Sequence, residues 1–219
     1  MKLGILGGTF DPVHLGHLRM ALEASEDLDL DRVDLVPASV PPHKEGRAVA
    51  SFADRLAMLR LAVEGAPRLG VLDLEGRRRG VSYTILTLEE LHKKYPDDLD
   101  LYFVLGADAF LDIPTWKEYR SLFRYAHFVI MERPGISRQA LDDFLGSLDL
   151  GLEKAGPDRY RVRESGMQLI RREGTAMDIS SSNIRKAVAA GRSVRFLVPE
   201  AVETYILKKG LYSSHGESR

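Results

Sequence analysis

The chain has 219 residues, which suits one sizeable domain or at most two small ones. Hydrophobic residues make up 44%, so wholesale disorder is excluded, and 31 Lys+Arg against 32 Asp+Glu leave a net charge of −1. That balance argues against a nucleic-acid or membrane partner held by a general basic surface, and the lack of cysteine excludes disulfides, thiolate metal sites and cysteine nucleophiles.

The amino-terminal stretch Met1 to Gly8 is short and broken by glycine, unlike a signal peptide. No apolar run approaches the ~18–20 residues that span a bilayer. A soluble cytoplasmic protein is expected. Along the chain, short apolar runs read as strands: Leu3 to Leu6, Val33 to Val36, Val71 to Leu74, Leu101 to Leu105 and Phe128 to Met131. Helical spacing fills the gaps. One helix begins around Leu15. A second opens at Ser51 with Asp54 three residues on, and sets Leu56, Leu59 and Val63 on one face. A third runs from Tyr83 to Tyr95 and is closed by Pro96; a fourth starts near Ser181 or Ser182 and ends at Gly191; a last one comes after Pro199. The alternation predicts an α/β protein, a Rossmann-like open parallel sheet with helices on both faces and a small helical C-terminal portion. Residues 1–212 are expected to form one domain and 213–219 a flexible tail. Gly135 to Gly166 reads as a helix plus loop inside that domain.

The segment Gly7-Gly8-Thr9-Phe10-Asp11-Pro12-Val13-His14-Leu15-Gly16-His17 leaves the first strand and enters a helix. In an open parallel sheet ligands bind there, beyond the carboxyl ends of the strands. The two glycines let the backbone approach a ligand, and the helix start offers unpaired N–H donors to phosphate. His14 and His17, three apart, point toward common oxygen atoms if they share the first turn. A dinucleotide fingerprint would need a third glycine and a phosphate-binding loop would need Gly-Lys-Ser/Thr; neither is here. A zinc reading lacks a third ligand at recognisable spacing. Far along the chain, Ile179-Ser180-Ser181-Ser182-Asn183-Ile184-Arg185 brings hydroxyls, free N–H groups and a guanidinium to a helix start, which suits phosphate, although a serine N-cap alone accounts for part of it.

Together these two segments closely resemble the nucleotidyltransferase superfamily, whose signatures are a His-x-Gly-His turn after the first strand and Ile-Ser-Ser-Thr-x-Ile-Arg at a late helix; Ser182 stands here for the threonine. The resemblance implies ATP as donor, with Mg2+ carried on it. It assigns catalytic roles to His14, His17, Lys44 and Arg185. ATP binding falls to Gly7, Gly8, Thr9, Phe10, Gly16, Ser180, Ser181 and Ser182. Further stretches resemble the bacterial nicotinate-nucleotide adenylyltransferase family: Pro41-Pro42-His43-Lys44, Ser82-Tyr83-Thr84, Gly106-Ala107-Asp108 with Trp116 beyond it, and Arg133-Pro134-Gly135. The likeness runs over roughly the whole chain and is poor from 135 to 177. It implies that nicotinate mononucleotide is the acceptor, bound by Tyr83, Thr84, Gly106, Asp108, Trp116 and Arg133.

The chemistry of these residues agrees. Trp116, the only tryptophan, suits stacking on a cationic pyridine ring, and N–H groups at the helix start near Tyr83 and Thr84 suit its carboxylate better than a neutral carboxamide. Each has a plainer reading, a packed aromatic and helix-cap residues. Arg77-Arg78-Arg79 is either solvated surface or a lure for an anionic substrate. The expected product is deamido-NAD with pyrophosphate, formed by direct in-line attack. Alternatives are another phosphorylated acceptor (phosphopantetheine or nicotinamide mononucleotide), a nucleotide sensor without catalysis, and a relative of class I aminoacyl-tRNA synthetases. The last lacks its Lys-Met-Ser-Lys-Ser loop here. No dedicated protein metal site is expected, and a homo-oligomer stays open.

Overall fold

The computed structural model describes residues 1–40, 50–78, 80–95, 99–132 and 135–213. Eight strands form one sheet: β1 (Lys2–Gly8), β2 (Arg32–Pro37), β3 (Leu69–Val71), β4 (Asp100–Gly106), β5 (His127–Glu132), β6 (Leu152–Gly156), β7 (Arg159–Val162) and β8 (Gln168–Glu173). The helices are α1 (Leu15–Asp27), α2 (Phe52–Val63), α3 (Thr84–Lys94), α4 (Ala107–Leu111), α5 (Tyr119–Leu122), α6 (Arg138–Ser147), α7 (Ser181–Ala189) and α8 (Glu200–Lys209). Strand order is β3-β2-β1-β4-β5-β8-β7-β6. The pairings from β3 across to β8 are all parallel, while β8–β7 and β7–β6 are antiparallel. The fold is a Rossmann-like, mostly parallel sheet.

Side chains alternate across the sheet, so each central strand feeds two cores. Ile5, Phe103, Leu105, Phe128 and Ile130 pack under α3 to α6; Leu6, Val33, Leu35, Val104 and Val129 pack under α1, α2, α7 and α8. The strands are buried on both faces, as their unbroken apolar runs require.

Three expectations shift. The third strand lies at Leu69–Val71, earlier than the Val71–Leu74 run, because Leu74 opens a 3-10 turn over Leu74–Arg77. On α2, capped by Ser51 Oγ accepting from the Asp54 N–H, the buried residues are Arg55, Met58 and Leu59, whereas Leu56 and Val63 are only half-buried. Between 135 and 166 the expected helix is present as α6, but it leads into the β6–β7 hairpin and not into a loop. The sequence there alternates weakly because β6 and β7 form an exposed edge; Val162 is the only residue of the two that is buried. No helix among the described residues is long and apolar enough to cross a membrane.

Candidate active site

The strand order reverses between β1 and β4, since β1 hydrogen-bonds to β2 on one side and β4 on the other. Such a switch point opens a crevice at the carboxyl ends of the strands. A cleft of about 390 Å3 lies there. Gly7, Gly8, Thr9 and His17 line it after β1, Val36 and Ala38 after β2, Gly106 and Asp108 after β4, Tyr83 and Thr84 at the start of α3, and Trp116 beyond α4.

His14 is the N-cap of α1 and is 2% exposed; His17 lies in its first turn and lines the cleft. The two rings stack with centroids 3.6 Å apart, and Phe10 meets His17 edge-on at 5.0 Å. The Nδ1 of His17 accepts from the backbone N–H of His14 at 3.3 Å. In the neutral ring the proton is therefore on Nε2, leaving that nitrogen as a donor. A Cβ on Gly16 would stand 3.1 Å from His14 Nδ1 and 3.9 Å from the Ile179 Cβ. Glycine is needed because the histidine turn and the segment entering α7 meet over it.

The two sequence motifs are in direct contact. The Ser181 hydroxyl donates to the Pro12 carbonyl at 2.9 Å, and Arg185 donates to the Asp11 carbonyl at 2.7 Å. Ser180 Oγ caps α7 by accepting from the Asn183 N–H, so the plain N-cap reading describes its hydroxyl, and Ser182 Oγ accepts from Arg185 at 3.2 Å. Arg185 and the serines flank the cleft rather than line it.

Tyr83, also lining the cleft, is the N-cap residue of α3, with no side-chain cap; the Leu86 N–H turns back to the Tyr83 carbonyl at 3.1 Å, and the N–H groups of Thr84 and Ile85 open the helix. Ser82 fixes this turn: its Oγ accepts from Ser39 N–H at 2.8 Å. Trp116 packs edge-on against Phe103 at 5.9 Å, as its plainer reading has it, and also lines the cleft. Asp108 lies in the first turn of α4, behind the N-cap Gly106. Lys117 stands over the Tyr83 ring at 4.8 Å. Arg77 is exposed and pairs with Asp73 at 2.7 Å, Arg78 donates to Thr87 at 2.6 Å, and Arg79 lies outside the described residues. Lys44 and Arg133 also lie outside them, as do Pro41 to His43, Pro134, Pro96 and residues 214–219 of the expected tail.

Sequence reading missed the residues that hold these loops. Arg55 is 1% exposed and donates to four backbone carbonyls: Thr9 and Ala38 at 2.7 Å, Ala50 at 3.0 Å and Ser39 at 3.2 Å. Burial lowers its pKa, and the carboxylates Asp11 and Glu75 oppose that fall. The signal was present in the sequence, a charge four residues before Leu59 on the buried face of α2. Asp11, also 1% exposed, accepts from the Ala50 N–H at 3.1 Å and the Tyr212 hydroxyl at 2.7 Å. Nothing in the sequence joins position 212 to position 11. Among the described residues no cluster of three or more His, Asp or Glu is arranged to hold a metal ion.

This cleft, with its histidine turn and its switch-point location, is that of a nucleotidyltransferase. The cytidylyltransferase-like family matches residues 5–187, and the chain belongs to that family. It is 47% identical, over 97% of its own length and 100% of the relative's, to a probable nicotinate-nucleotide adenylyltransferase of Desulfatibacillum aliphaticivorans. It is 40% identical to one of Geobacter sulfurreducens, over 99% and 100%. Among solved structures, the nicotinic acid mononucleotide adenylyltransferase of Plasmodium falciparum, complexed with NaAD, shares the fold at a TM-score of 0.76 with 20% identity, covering 96% of this chain and 97% of that one.

Proposed function

We infer that this chain is a nicotinate-nucleotide adenylyltransferase: it transfers AMP from ATP to nicotinate mononucleotide, giving deamido-NAD and pyrophosphate. What supports this most is one cleft lined by His17 at one end and by Tyr83, Thr84 and Trp116 at the other, with the Arg185 motif bonded to the turn that carries the histidines. The likeness to relatives named for that activity, over almost the whole chain, agrees. We take residues 1–212 as one nucleotidyltransferase domain, since both motifs rest on the same sheet.

A 5′-phosphate oxygen of the acceptor attacks the α-phosphorus of ATP in line; the new P–O bond forms as the bond to the bridging oxygen breaks and pyrophosphate leaves. The phosphate dianion is already a nucleophile near neutral pH, so no general base is needed. Catalysis is then positioning plus stabilisation of charge. His17 donates from Nε2 to the reacting phosphate oxygens, His14 supports its ring by stacking, and Arg185 and Lys44 bind the triphosphate. Gly7, Gly8, Thr9, Phe10, Gly16 and Ser180 to Ser182 shape the ATP side. Magnesium enters as a companion of ATP, held by phosphate oxygens and water, and offsets charge on the leaving pyrophosphate.

On the acceptor side Trp116 stacks on the pyridinium ring, the N–H groups opening α3 take the ring carboxylate, and Asp108, Gly106 and Arg133 hold the ribose and phosphate. The reaction runs in the cytoplasm. The test is pyrophosphate release from ATP with nicotinate mononucleotide, nicotinamide mononucleotide, phosphopantetheine and no acceptor. Release that depends on the nicotinate nucleotide is expected; ATP binding without turnover on any of them contradicts the reading.

A further inference from the structure

Asp11 draws partners from three distant parts of the chain. Its Oδ1 accepts from the Tyr212 hydroxyl at 2.7 Å and from the Ala50 N–H at 3.1 Å, while Oδ2 faces the Arg185 guanidinium at 3.6 Å. That guanidinium also donates to the Asp11 carbonyl at 2.7 Å. Tyr212 stands 201 residues from Asp11, just past α8, with φ at +64°. A bulky residue seldom adopts that left-handed backbone, and such outliers persist where the surroundings over-determine them. Burial, and then the bond to Asp11, push its phenol pKa up, so the hydroxyl stays a donor at neutral pH.

Arg185 must choose between Asp11 and a phosphate. The carboxylate charge is shared by both oxygens, so two donors on Oδ1 draw it away from Oδ2 and weaken the hold of Oδ2 on the guanidinium; loss of the shorter donor returns charge to Oδ2 and strengthens that hold. We propose that Tyr212 is a positioning residue: by holding Oδ1 it keeps the Asp11 carboxylate at 3.6 Å from Arg185, so that the guanidinium, anchored by the Asp11 carbonyl, keeps donors for the triphosphate of ATP. The proposal rests on the ATP-binding role of Arg185 given above.

Tyr205 supplies a matched control. Its hydroxyl donates to Asp54 on α2 at 2.8 Å, so it too ties the carboxyl-terminal segment to the body, but away from Asp11. The experiment measures ATP affinity by titration calorimetry without acceptor, alongside the KM for nicotinate mononucleotide. Tyr212→Phe is expected to weaken ATP binding about tenfold and leave the acceptor KM unchanged. Tyr205→Phe should bind ATP as wild type does. In an Arg185→Met background Tyr212→Phe should add nothing, because the group it positions is gone. Wild-type ATP affinity in Tyr212→Phe, an equal loss in Tyr205→Phe, or additivity with Arg185→Met overturns the proposal. A wild-type enzyme inert toward nicotinate mononucleotide, in which Tyr212→Phe still weakens ATP, overturns the acceptor reading and leaves the role of Tyr212 standing.

Discussion

His17 presents one nitrogen to the cleft because its other nitrogen is already committed to the backbone of His14. That commitment fixes the ring's orientation, and the stacked His14 restrains its tilt. In the proposed mechanism, removal of the imidazole takes away a donor to the charge that develops on the phosphate. His17→Ala should therefore lower kcat by about 100-fold or more while fold and ATP affinity change less. Steady-state kinetics at saturating ATP, with thermal melting as a control, checks this; near-normal turnover contradicts it. The histidine motif was legible because its chemistry lies within a few residues of chain. Arg55, Asp11 and Tyr212 were not, because apart from Ala50, five residues from Arg55, their partners lie 16 to 201 residues away and only the fold brings them together.

At the scale of elements, α2 does more than cover the sheet. Its Arg55 reaches from the buried face into the space where β1 and β2 end, and joins Thr9, Ala38, Ser39 and Ala50 through their carbonyls. The helix thereby fixes the cleft wall. Arg55→Met leaves those carbonyls without the donor and should cost about 3 kcal/mol, read as a lowered urea midpoint. Arg55→Lys should recover only part of it, since one ammonium cannot serve four acceptors in a planar fork. Wild-type stability in Arg55→Met contradicts the bracing role. The helical spacing of Leu56, Leu59 and Val63 suggested another face because periodicity counts apolar residues and discounts a buried charge. In the same way the β6–β7 hairpin escaped notice: edge strands with exposed, charged side chains such as Glu153, Lys154, Arg159 and Arg161 lack the apolar pattern that marks the central strands.

Across the whole molecule the cleft lies at one end of the strands and a half-buried histidine at the other. His127, opening β5, accepts the Gln168 N–H at Nδ1 (2.9 Å) and sets Nε2 2.9 Å from Asp100. Burial pulls its pKa below 6.5, against the pull of Asp100. The folded state thus holds His127 neutral at a pH where the unfolded chain already takes up a proton. Stability should be flat above pH 6.5 and fall as pH drops from 6.5 through the lower folded value, levelling beneath it. Urea midpoints across pH 5 to 8 test this, and His127→Asn should flatten the dependence; parallel slopes in both proteins contradict it. At the other end of the strands α3 opens on the cleft at Tyr83 and Thr84, and the proposed function gives its positive helix start to the acceptor's carboxylate. The most direct test of that reading compares kcat/KM for nicotinate and nicotinamide mononucleotides in one pyrophosphate-release assay. A clear preference for the acid is expected; equal rates, or a preference for the amide, contradict it.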